Sequence, residues 1–539
     1  MLKSALSASR PLLLCSVWMA LSVVSSCANY EFASYYDGLP FEMENVSRPS
    51  IPSLEVCITD FGGIGDGRTL NTDAFAEAVD YLAGMGGGHL VVPQGVWLTG
   101  PVTLKDNIDL HITPQAVLLF SSDRSLYPIV ETVFEGLDTR RCISPVNADG
   151  AKNISITGGG TIDGNGDDWR QVKRSKVTSG QWKSLIAKGG FTDDRNTVWY
   201  PDSSSFRGSV VSDAFNVPQG MESDEDWESV KTYLRPVMIG LKNCENVLLE
   251  DCLFQNSPCW NIHPLMCRNV IINNISVRNP WYSQNGDGID IDSCEDVLLI
   301  NSTFDVGDDA ICIKSGKDED GRRRARPCRN LIVENCTVFH GHGGFVVGSE
   351  MSGGVENISV KDCRFLGTDV GLRFKSCRGR GGIVRNIHIS DIVMMNIPTE
   401  PLLFDLHYGG KSAVEAVEDG GAVYDIAMVE ADETTPEFRD IYIKDIICSG
   451  ASRAMYFNGI PEKNISGIFV EDCEIVSDRG ADIRYSDGVT LKNVRIRQSV
   501  GEGFVFANCR NVTMTGCRDA SSDGTVSVKK YNSSDVTVE

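Results

Sequence analysis

Four stretches of the chain end in serine and align with one another. They are Asn285–Ser293, Val306–Ser315, His340–Ser349 and Gly367–Ser376. Counted back from the serine, Asp287 coincides with Asp309, and His342 coincides with Asp308. Neighbouring carboxylates repel one another unless they share a proton or a substrate. The alignment therefore predicts a cluster of carboxylates and an imidazole that performs acid–base chemistry.

Two cations, Arg373 and Lys375, occupy the last of these stretches. Glycoside hydrolysis requires one carboxyl group that protonates the leaving oxygen and another that removes a proton from the attacking water. Arg and Lys beside such a pair suit a substrate that carries carboxylates. The residue types therefore favour hydrolysis of an acidic glycan.

Apolar residues alternate with other residues in each stretch, which is typical of a strand with one buried face. The alternating pairs are Ile289 and Ile291, Ile311 and Ile313, Phe345 and Val347, and Leu372 and Phe374. A second strand motif recurs mostly every 23 to 34 residues and starts with Asn or Asp, as at Asn246, Asn269, Asp296, Asn330 and Asn357. Strands that repeat at this interval, with almost no helical periodicity, predict a solenoid of parallel strands.

The asparagines of the second motif have a structural interpretation. Asn tolerates the left-handed backbone conformation of a turn, and its amide can bond to the equivalent residue of the next coil. We therefore assign these asparagines no catalytic role.

Most of the 18 cysteines fall in register with the repeat. Ten occupy two columns of the second motif: Cys244, Cys267, Cys294, Cys328 and Cys509 in one, and Cys252, Cys336, Cys363, Cys473 and Cys517 in the other. Cysteines in an exported protein would ordinarily suggest disulfides. The register instead predicts buried thiols that act as small apolar side chains. No Cys-x-x-Cys or His-x-x-x-His spacing supports the alternative, a metal site.

Residues 1–26 are typical of an export signal, because Lys3 and Arg10 are followed by an apolar run from Pro11 to Val24. The next residues, Val24-Ser-Ser-Cys27, resemble the bacterial lipoprotein box, which predicts a lipid on Cys27; ordinary cleavage nearby is the alternative. We therefore expect an exported protein that is periplasmic or anchored in a bacterial outer membrane. Contact with a membrane would occur only through the N-terminal lipid.

The rest of the chain reads as one long domain. We expect residues 27–50 to be a linker and residues 51–539 to form the solenoid. Thr72 to Leu82 has helical spacing and predicts an N-terminal helix that caps the open end of the solenoid. The repeat disappears from about 166 to 234, which indicates an insertion that shapes the binding site.

The formal charge of −23 argues against nucleic acid as a partner. An acidic glycan would need a local cationic patch. Two patches are present: Arg373 with Lys375, and the run from Arg322 to Arg329. A solvated loop is the alternative interpretation of that arginine run.

Four ordered motifs resemble those of glycoside hydrolase family 28, the polygalacturonases. They are Asn285-x-Asp287, Gly307-Asp308-Asp309, Gly341-His342-Gly343 and Arg373-x-Lys375. Further similarity lies at Thr59–Gly67, Asn71–Asp73, Gly158–Gly164 and Ser257–Pro264, so the resemblance runs from about residue 54 to at least 395. One departure is Gly286, where the family commonly has Thr.

The resemblance implies an all-β fold, a right-handed single-stranded parallel β-helix. It also implies cleavage of the α-1,4-galacturonosidic linkages of pectin homogalacturonan with inversion. Asp308 would be the general acid, Asp287 and Asp309 would position and deprotonate the water, and His342 would tune the proton of the acid. No cofactor and no metal are implied, and we expect a monomer.

Substrate binding would fall to a second group of residues. The resemblance assigns the carboxylate of the sugar on the leaving side to Arg373 and Lys375, beside Asn285 of the first motif. The segment Gly316–Arg326 lengthens the catalytic coil and resembles a loop of exo-acting bacterial members. We expect Arg322 and Arg323 of this loop to bind the carboxylate of a terminal galacturonate.

Three alternatives stay open at this point. A pectate lyase also uses a parallel β-helix, but it typically needs calcium and an Arg or Lys base. A rhamnogalacturonan hydrolase of the same family would have less use for Arg373 and Lys375. A non-catalytic surface lipoprotein that binds glycan would be favoured if one of the three aspartates were missing, and none is.

Overall fold

The computed structural model describes residues 31–212, 216–409, 426–520 and 526–539. The export signal and Cys27 lie outside these residues. The described chain forms a right-handed parallel β-helix, in which each coil contributes strands to three parallel sheets. The predicted fold class is therefore confirmed.

Sheet A carries the four aligned stretches. Its strands are Val102–Thr103, Val146–Asp149, Ile239–Lys242, Ile262–Leu265, Ile289–Asp292, Asp309–Lys314, Gly343–Gly348, Leu372–Lys375 and Leu402–Asp405, followed by parts of Glu437–Asn458, Glu474–Arg484 and Arg495–Ala507, and by Val528–Tyr531.

Sheet B carries the Asn motif. Its strands are Glu55–Cys57, Gly88–Val92, Ile108–Ile112, Lys152–Thr157, Glu245–Glu250, Arg268–Asn273, Glu295–Ile300, Cys328–Glu334, Val355–Lys361, parts of Ile383–Ile397 and Glu437–Asn458, and Ile465–Glu471, Ser486–Lys492, Arg510–Thr515 and Val536–Val538.

Sheet C closes each coil. Its strands are Gly95–Thr99, Ala116–Phe120, Thr161–Asp163, Leu253–Gln255, Ser276–Arg278, Thr303–Asp305, Thr337–His340 and Arg364–Phe365, followed by parts of Ile383–Ile397, Glu437–Asn458, Glu474–Arg484 and Arg495–Ala507.

The asparagines stack as a ladder at the start of sheet B. Each amide donates to the side-chain oxygen of the preceding coil: Asn246 to Asn153, Asn269 to Asn246, and Asn357 to Asn330, at 2.6–3.0 Å. Asn246 and Asn269 have φ values of 60° and 54°, which lie in the left-handed region. The structural role predicted for these residues is confirmed.

The interior of the solenoid is one continuous apolar core that includes the two predicted cysteine columns. All ten cysteines of those columns are buried and unpaired. The Sγ atom of Cys267 lies in hydrogen-bonding contact with the carbonyl of Leu241 in the preceding coil, at 3.2 Å. The thiols therefore stack along the axis as small apolar groups, as their register predicts.

Helix α1, Thr72–Gly84, closes the N-terminal end of the solenoid. Phe75, Val79 and Leu82 are buried on the face that joins the core. The chain reaches it through the short 3₁₀ helix Ile58–Phe61. The predicted capping helix is thus present, because an apolar helix face covers the strand edges that an open coil would expose.

Residues 31–48, part of the expected linker, pack along the flank of sheet B. The segment contains the 3₁₀ helix Ala33–Tyr36. Phe32 and Val46 join an apolar cluster with Ile271 and Leu298. Arg48 bonds to both oxygens of Glu250 at 2.8 Å. The segment is therefore attached to the solenoid over several coils.

The residues between strands Thr161–Asp163 and Ile239–Lys242 leave the repeat. They form helices α2 (Ser179–Ala187), α3 (Ser203–Val211) and α4 (Asp224–Ser229), the 3₁₀ helices Gly166–Asp168, Arg174–Lys176 and Lys231–Tyr233, and a small sheet of Val172–Lys173, Phe191–Thr192 and Val198–Tyr200. An earlier antiparallel hairpin, Ile129–Phe134 with Leu137–Cys142, also leaves the solenoid after the 3₁₀ helix Arg124–Leu126. A later helix, α5 (Asp318–Arg324), interrupts the catalytic coil.

None of the helices in the described ranges combines the length and the hydropathy that crossing a membrane requires.

Candidate active site

A cavity of about 700 Å³ opens at the end of sheet A where the aligned stretches begin. Its lining includes Asp287, Asp308, Asp309, His342, Arg373, Lys375 and Asn285. The structure therefore brings together seven of the residues that the sequence singles out.

The register of sheet A explains why these residues meet. Ile289 pairs with Ile311, Ile311 with Phe345, and Phe345 with Leu372. The apolar side chains point into the core, so intervening residues such as Arg373 point outward. Since the four strands stay in register, the residues at their starts and in the turns before them meet at one edge of the sheet.

Asp309 is the buried centre of the cation pair. Its Oδ2 lies 2.6 Å from Nζ of Lys375, and its Oδ1 lies 3.2 Å from Nη1 of Arg373. Burial favours the neutral acid, but Lys375 and then Arg373 outweigh it and hold the pKa of Asp309 below its ordinary value. The ring of Tyr408 lies 4.9 Å from Nζ of Lys375. Asp309 is therefore an ionised carboxylate.

Asp308 forms an ion pair with His342, whose Nδ1 lies 3.1 Å from Asp308 Oδ1. Burial favours the neutral carboxyl, but the charge of His342 and its hydrogen bond lower the pKa of Asp308. Burial opposes the imidazolium too, yet Asp308 raises the pKa of His342. The side chain of Asp308 is 21% exposed, against 2% for Asp309. Asp308 is thus the more accessible of these two carboxylates, and its pair with His342 contains a proton.

Asp287 lies beside this pair and is buried, with no hydrogen-bond partner for Oδ1 within the described part of the chain. Burial, followed by the charges of Asp290 and Asp308, raises the pKa of Asp287 well above its ordinary value. One oxygen from each of Asp287, Asp308 and Asp309 falls within 4.8 Å of the others. Burial therefore favours the protonated form of Asp287, whereas neighbouring positive charges favour the ionised forms of Asp308 and Asp309.

Part of the cavity lining belongs to a buried charge cluster that sequence reasoning missed. Lys314 Nζ lies 2.8 Å from Glu350 Oε2 and 3.5 Å from Asp290 Oδ1. Lys314 also lies 4.7 Å from the ring centre of Trp260. The alternation predicts that Asp290 and Lys314 point away from the core, but it gives no indication that Glu350 would meet them.

The insertion supplies one wall of the cavity, including Gln171, Lys173 and Lys176. Gln171 Nε2 donates to Gln284 Oε1 at 2.9 Å, and Lys176 Nζ lies 3.5 Å from His342 Nε2. No repeat register exists in this segment, so the sequence contained no signal for these contacts.

Asn285 occupies the rim, where its Oδ1 accepts a hydrogen bond from Arg235 Nη2 at 3.0 Å. Arg235 is itself buried and also donates to the carbonyl of Gln284 at 2.9 Å. The predicted contact residue is therefore held in place by an arginine at the end of the insertion.

Arg322 and Arg323, which the sequence predicts to bind the substrate, are not among the residues that line the cavity. Arg322 donates to the carbonyls of Gly379 and Arg380 at 2.7 and 3.1 Å. Arg323 pairs with Asp138 and Asp320. These arginines lie in the last turn of helix α5, where local partners hold them away from the site.

Other residues of the same region line the cavity instead. Lys317 and Asp318, at the start of α5, and Arg380 contribute to the lining, and Arg380 Nη1 pairs with Asp318 Oδ1 at 2.5 Å. The loop thus reaches the cavity through the opposite end of its helix.

Three comparisons agree with this fold. The sequence model of the family described as "Glycosyl hydrolases family 28" matches residues 223–450. The solved structure of a hyperthermoactive exopolygalacturonase from Thermotoga maritima is 32% identical, covers 83% of this chain and 93% of that chain, and has a TM-score of 0.68. An exo-poly-alpha-D-galacturonosidase of Dickeya chrysanthemi is 26% identical over 89% of this chain and 78% of its own length.

Fold and carboxylate cluster together define a glycoside hydrolase built on a parallel β-helix. The chain belongs to the glycosyl hydrolases of family 28.

Proposed function

We propose that the protein hydrolyses the α-1,4 linkages of homogalacturonan with inversion, working from a chain end. One observation supports an acidic polysaccharide as the substrate class. Eight Lys and Arg residues line the cavity and outnumber its six Asp and Glu residues, in a chain whose net charge is −23; the cations are Lys173, Lys176, Lys314, Lys317, Arg373, Lys375, Arg378 and Arg380. Such a concentration of cations fits a polyanionic sugar. The names of the relatives point to the same polymer.

Asp308 acts as the general acid in this proposal. It is the most accessible of the three clustered carboxyl groups. Its Oδ1 lies 3.1 Å from Nδ1 of His342, and this pair contains a proton. Nδ1 of His342 passes its proton to Asp308, and Asp308 gives that proton to the glycosidic oxygen as the glycosidic bond breaks. The ion pair therefore supplies the acid even though Asp308 is ionised at rest.

Asp309 and Asp287 hold the attacking water. Asp309 stays ionised beside Lys375 and Arg373 and accepts a proton from the water. Asp287 retains its own proton because burial raises its pKa, so it orients the water through a hydrogen bond. Arg373 and Lys375 face the carboxylate of the sugar on the leaving side, next to Asn285 on the rim.

The stereochemical outcome needs a direct measurement. The three carboxyl oxygens lie within 4.8 Å of one another, closer than the roughly 6.5–9.5 Å typical of inverting pairs. The proposal of inversion rests on the resemblance to the family and on the presence of three carboxyl groups. With Asp308 as the acid, Asp287 and Asp309 are both available to hold the water. Proton NMR during early turnover should show the β anomer first. First appearance of the α anomer would contradict this part of the proposal.

The exo action rests on the walls around the cavity. The insertion closes one side through Lys173 and Lys176, and Lys317 and Arg380 line another. A closed pocket admits a chain end more readily than an internal segment. We expect mono- or digalacturonate to be released from polygalacturonate while viscosity falls slowly. Rapid loss of viscosity at low release of reducing ends would show an endo enzyme.

A chelator separates hydrolysis from the lyase alternative. A calcium-dependent lyase would lose activity in EDTA and yield a product that absorbs in the ultraviolet. We expect full activity in EDTA, no ultraviolet-absorbing product, and little cleavage of rhamnogalacturonan. We also propose that the protein is exported and carries a lipid on Cys27.

A further inference from the structure

Trp281 is unusually exposed for a tryptophan that borders a catalytic cavity. Trp281 is 57% exposed and lines the cavity. In the sequence it precedes Asn285 by four residues. A single exposed aromatic residue is ordinary on a protein surface. This one, however, is fixed in place: its Nε1 donates to the carbonyl of Lys176 at 2.8 Å.

Several contacts hold the surroundings of Trp281 together. The neighbouring Tyr282 packs against the small core of the insertion, which contains Val172, Trp182 and Trp199. The Tyr282 hydroxyl also donates to Asp167 Oδ1 at 3.2 Å, and the two adjacent rings meet edge to face at 5.3 Å. The insertion and the loop before strand Ile289–Asp292 are thereby held together at the cavity rim.

Lys176, whose backbone carbonyl accepts the hydrogen bond from Trp281, also adds a cation to the lining of the cavity. Within the described part of the chain, no carboxylate oxygen lies within 4.0 Å of its Nζ. Its Nζ instead lies 3.5 Å from Nε2 of His342, which pairs with Asp308. Arg373 and Lys375 contact Asp309. Lys176 is therefore a cation of the cavity that is separate from the Arg373 and Lys375 pair.

An aromatic ring and a cation that line the same cavity have the chemistry that recognises a uronic acid. The apolar face of a pyranose ring stacks on an indole, and the ammonium group bonds to the sugar carboxylate. We propose that Lys176 and Trp281 form a second uronate-binding subsite, on the side of Asp308 away from Arg373 and Lys375. This inference rests on the proposed function, because it specifies how the same cavity holds another galacturonate unit.

The test compares the free acid with its methyl ester, which keeps the sugar ring but removes the charge. KM and kcat are measured for trigalacturonate and for its fully esterified form, with wild type, Lys176→Met and Lys183→Met. Lys183 is an exposed lysine of helix α2 in the same insertion and does not line the cavity, so it is a matched control.

In Lys176→Met we expect KM for the free acid to rise about tenfold or more, because one charge-assisted hydrogen bond is lost. The KM for the ester should change little, and Lys183→Met should behave as wild type. Lys176→Arg should recover much of the preference for the free acid, and Trp281→Ala should raise KM for both substrates.

If the ratio of the KM for the free acid to the KM for the ester is the same in Lys176→Met as in wild type, the proposed subsite is refuted. A shift in kcat and in its pH profile, without a shift in that ratio, would also overturn it, because Lys176 would then act through His342. A wild-type enzyme that leaves galacturonan intact would refute the proposed function itself. Melting temperatures of all variants show whether a loss comes from misfolding.

Discussion

The buried carboxyl group of Asp290 makes the stability of this protein depend on pH in a predictable way. Asp290 is fully buried, and within the described residues neither of its oxygens accepts a hydrogen bond. The nearest cation, Lys314, lies 3.5 Å away and also bonds to Glu350. Burial is the largest effect and outweighs Lys314, so the pKa of Asp290 rises to about 8. We expect Asp290→Asn to remove this dependence.

The magnitude follows from the shift. The pKa rises from an ordinary value of 3.8 to about 8. Between these values the folded protein keeps a proton that the unfolded chain releases, so the free energy of unfolding falls as pH rises. At about 1.36 kcal/mol per pH unit, the loss between pH 5 and pH 8 approaches ~4 kcal/mol as an upper limit. Asn is neutral throughout and has no such slope.

Urea unfolding at pH 5 and pH 8, followed by tryptophan fluorescence, measures this difference. Trp260 packs over Lys314 and reports on the region. Asp290→Asn should resemble wild type at pH 5 and be more stable by a few kcal/mol at pH 8. Asp478→Asn, which changes an exposed aspartate of the same solenoid, is the control. Equal slopes with pH for wild type and Asp290→Asn would refute the reasoning.

Four further outcomes are expected. Asp308→Asn should abolish turnover and leave binding of galacturonan nearly intact, because an amide cannot donate the proton; more than a few per cent of residual kcat would move the acid elsewhere. Arg373→Ala should lower kcat/KM on galacturonan by about 10- to 100-fold, as expected for a lost charge-assisted contact, and an unchanged value would remove its role. Arg323→Ala should leave KM unchanged, since Arg323 pairs with Asp138 and Asp320; a large rise in KM would return it to the site. Cys27→Ala should turn a detergent-extracted protein into a soluble one, and mass spectrometry that finds no lipid on the wild-type terminus would contradict the lipoprotein prediction.

Sequence alone determined the solenoid and the register of its sheets. Period-two alternation fixes which residues face the core, so Ile289, Ile311 and Phe345 pair as the aligned serines predict. The asparagine ladder follows from the same repeat, because only a few residue types tolerate the left-handed turn of each coil. Asp287, Asp308 and Asp309 could be placed together for this reason, since a residue's position in a repeated coil defines its position in space.

Tertiary structure alone decided which side chains outside the repeat reach the cavity. The loops of Lys176 and Arg380 have no register, so no spacing relates them to the cavity that they line. For the same reason, Arg322 was assigned to the substrate, whereas it bonds to the carbonyls of Gly379 and Arg380. A charged side chain in an irregular loop binds whichever partner its backbone places within reach, and that placement arises only when the insertion packs against the solenoid.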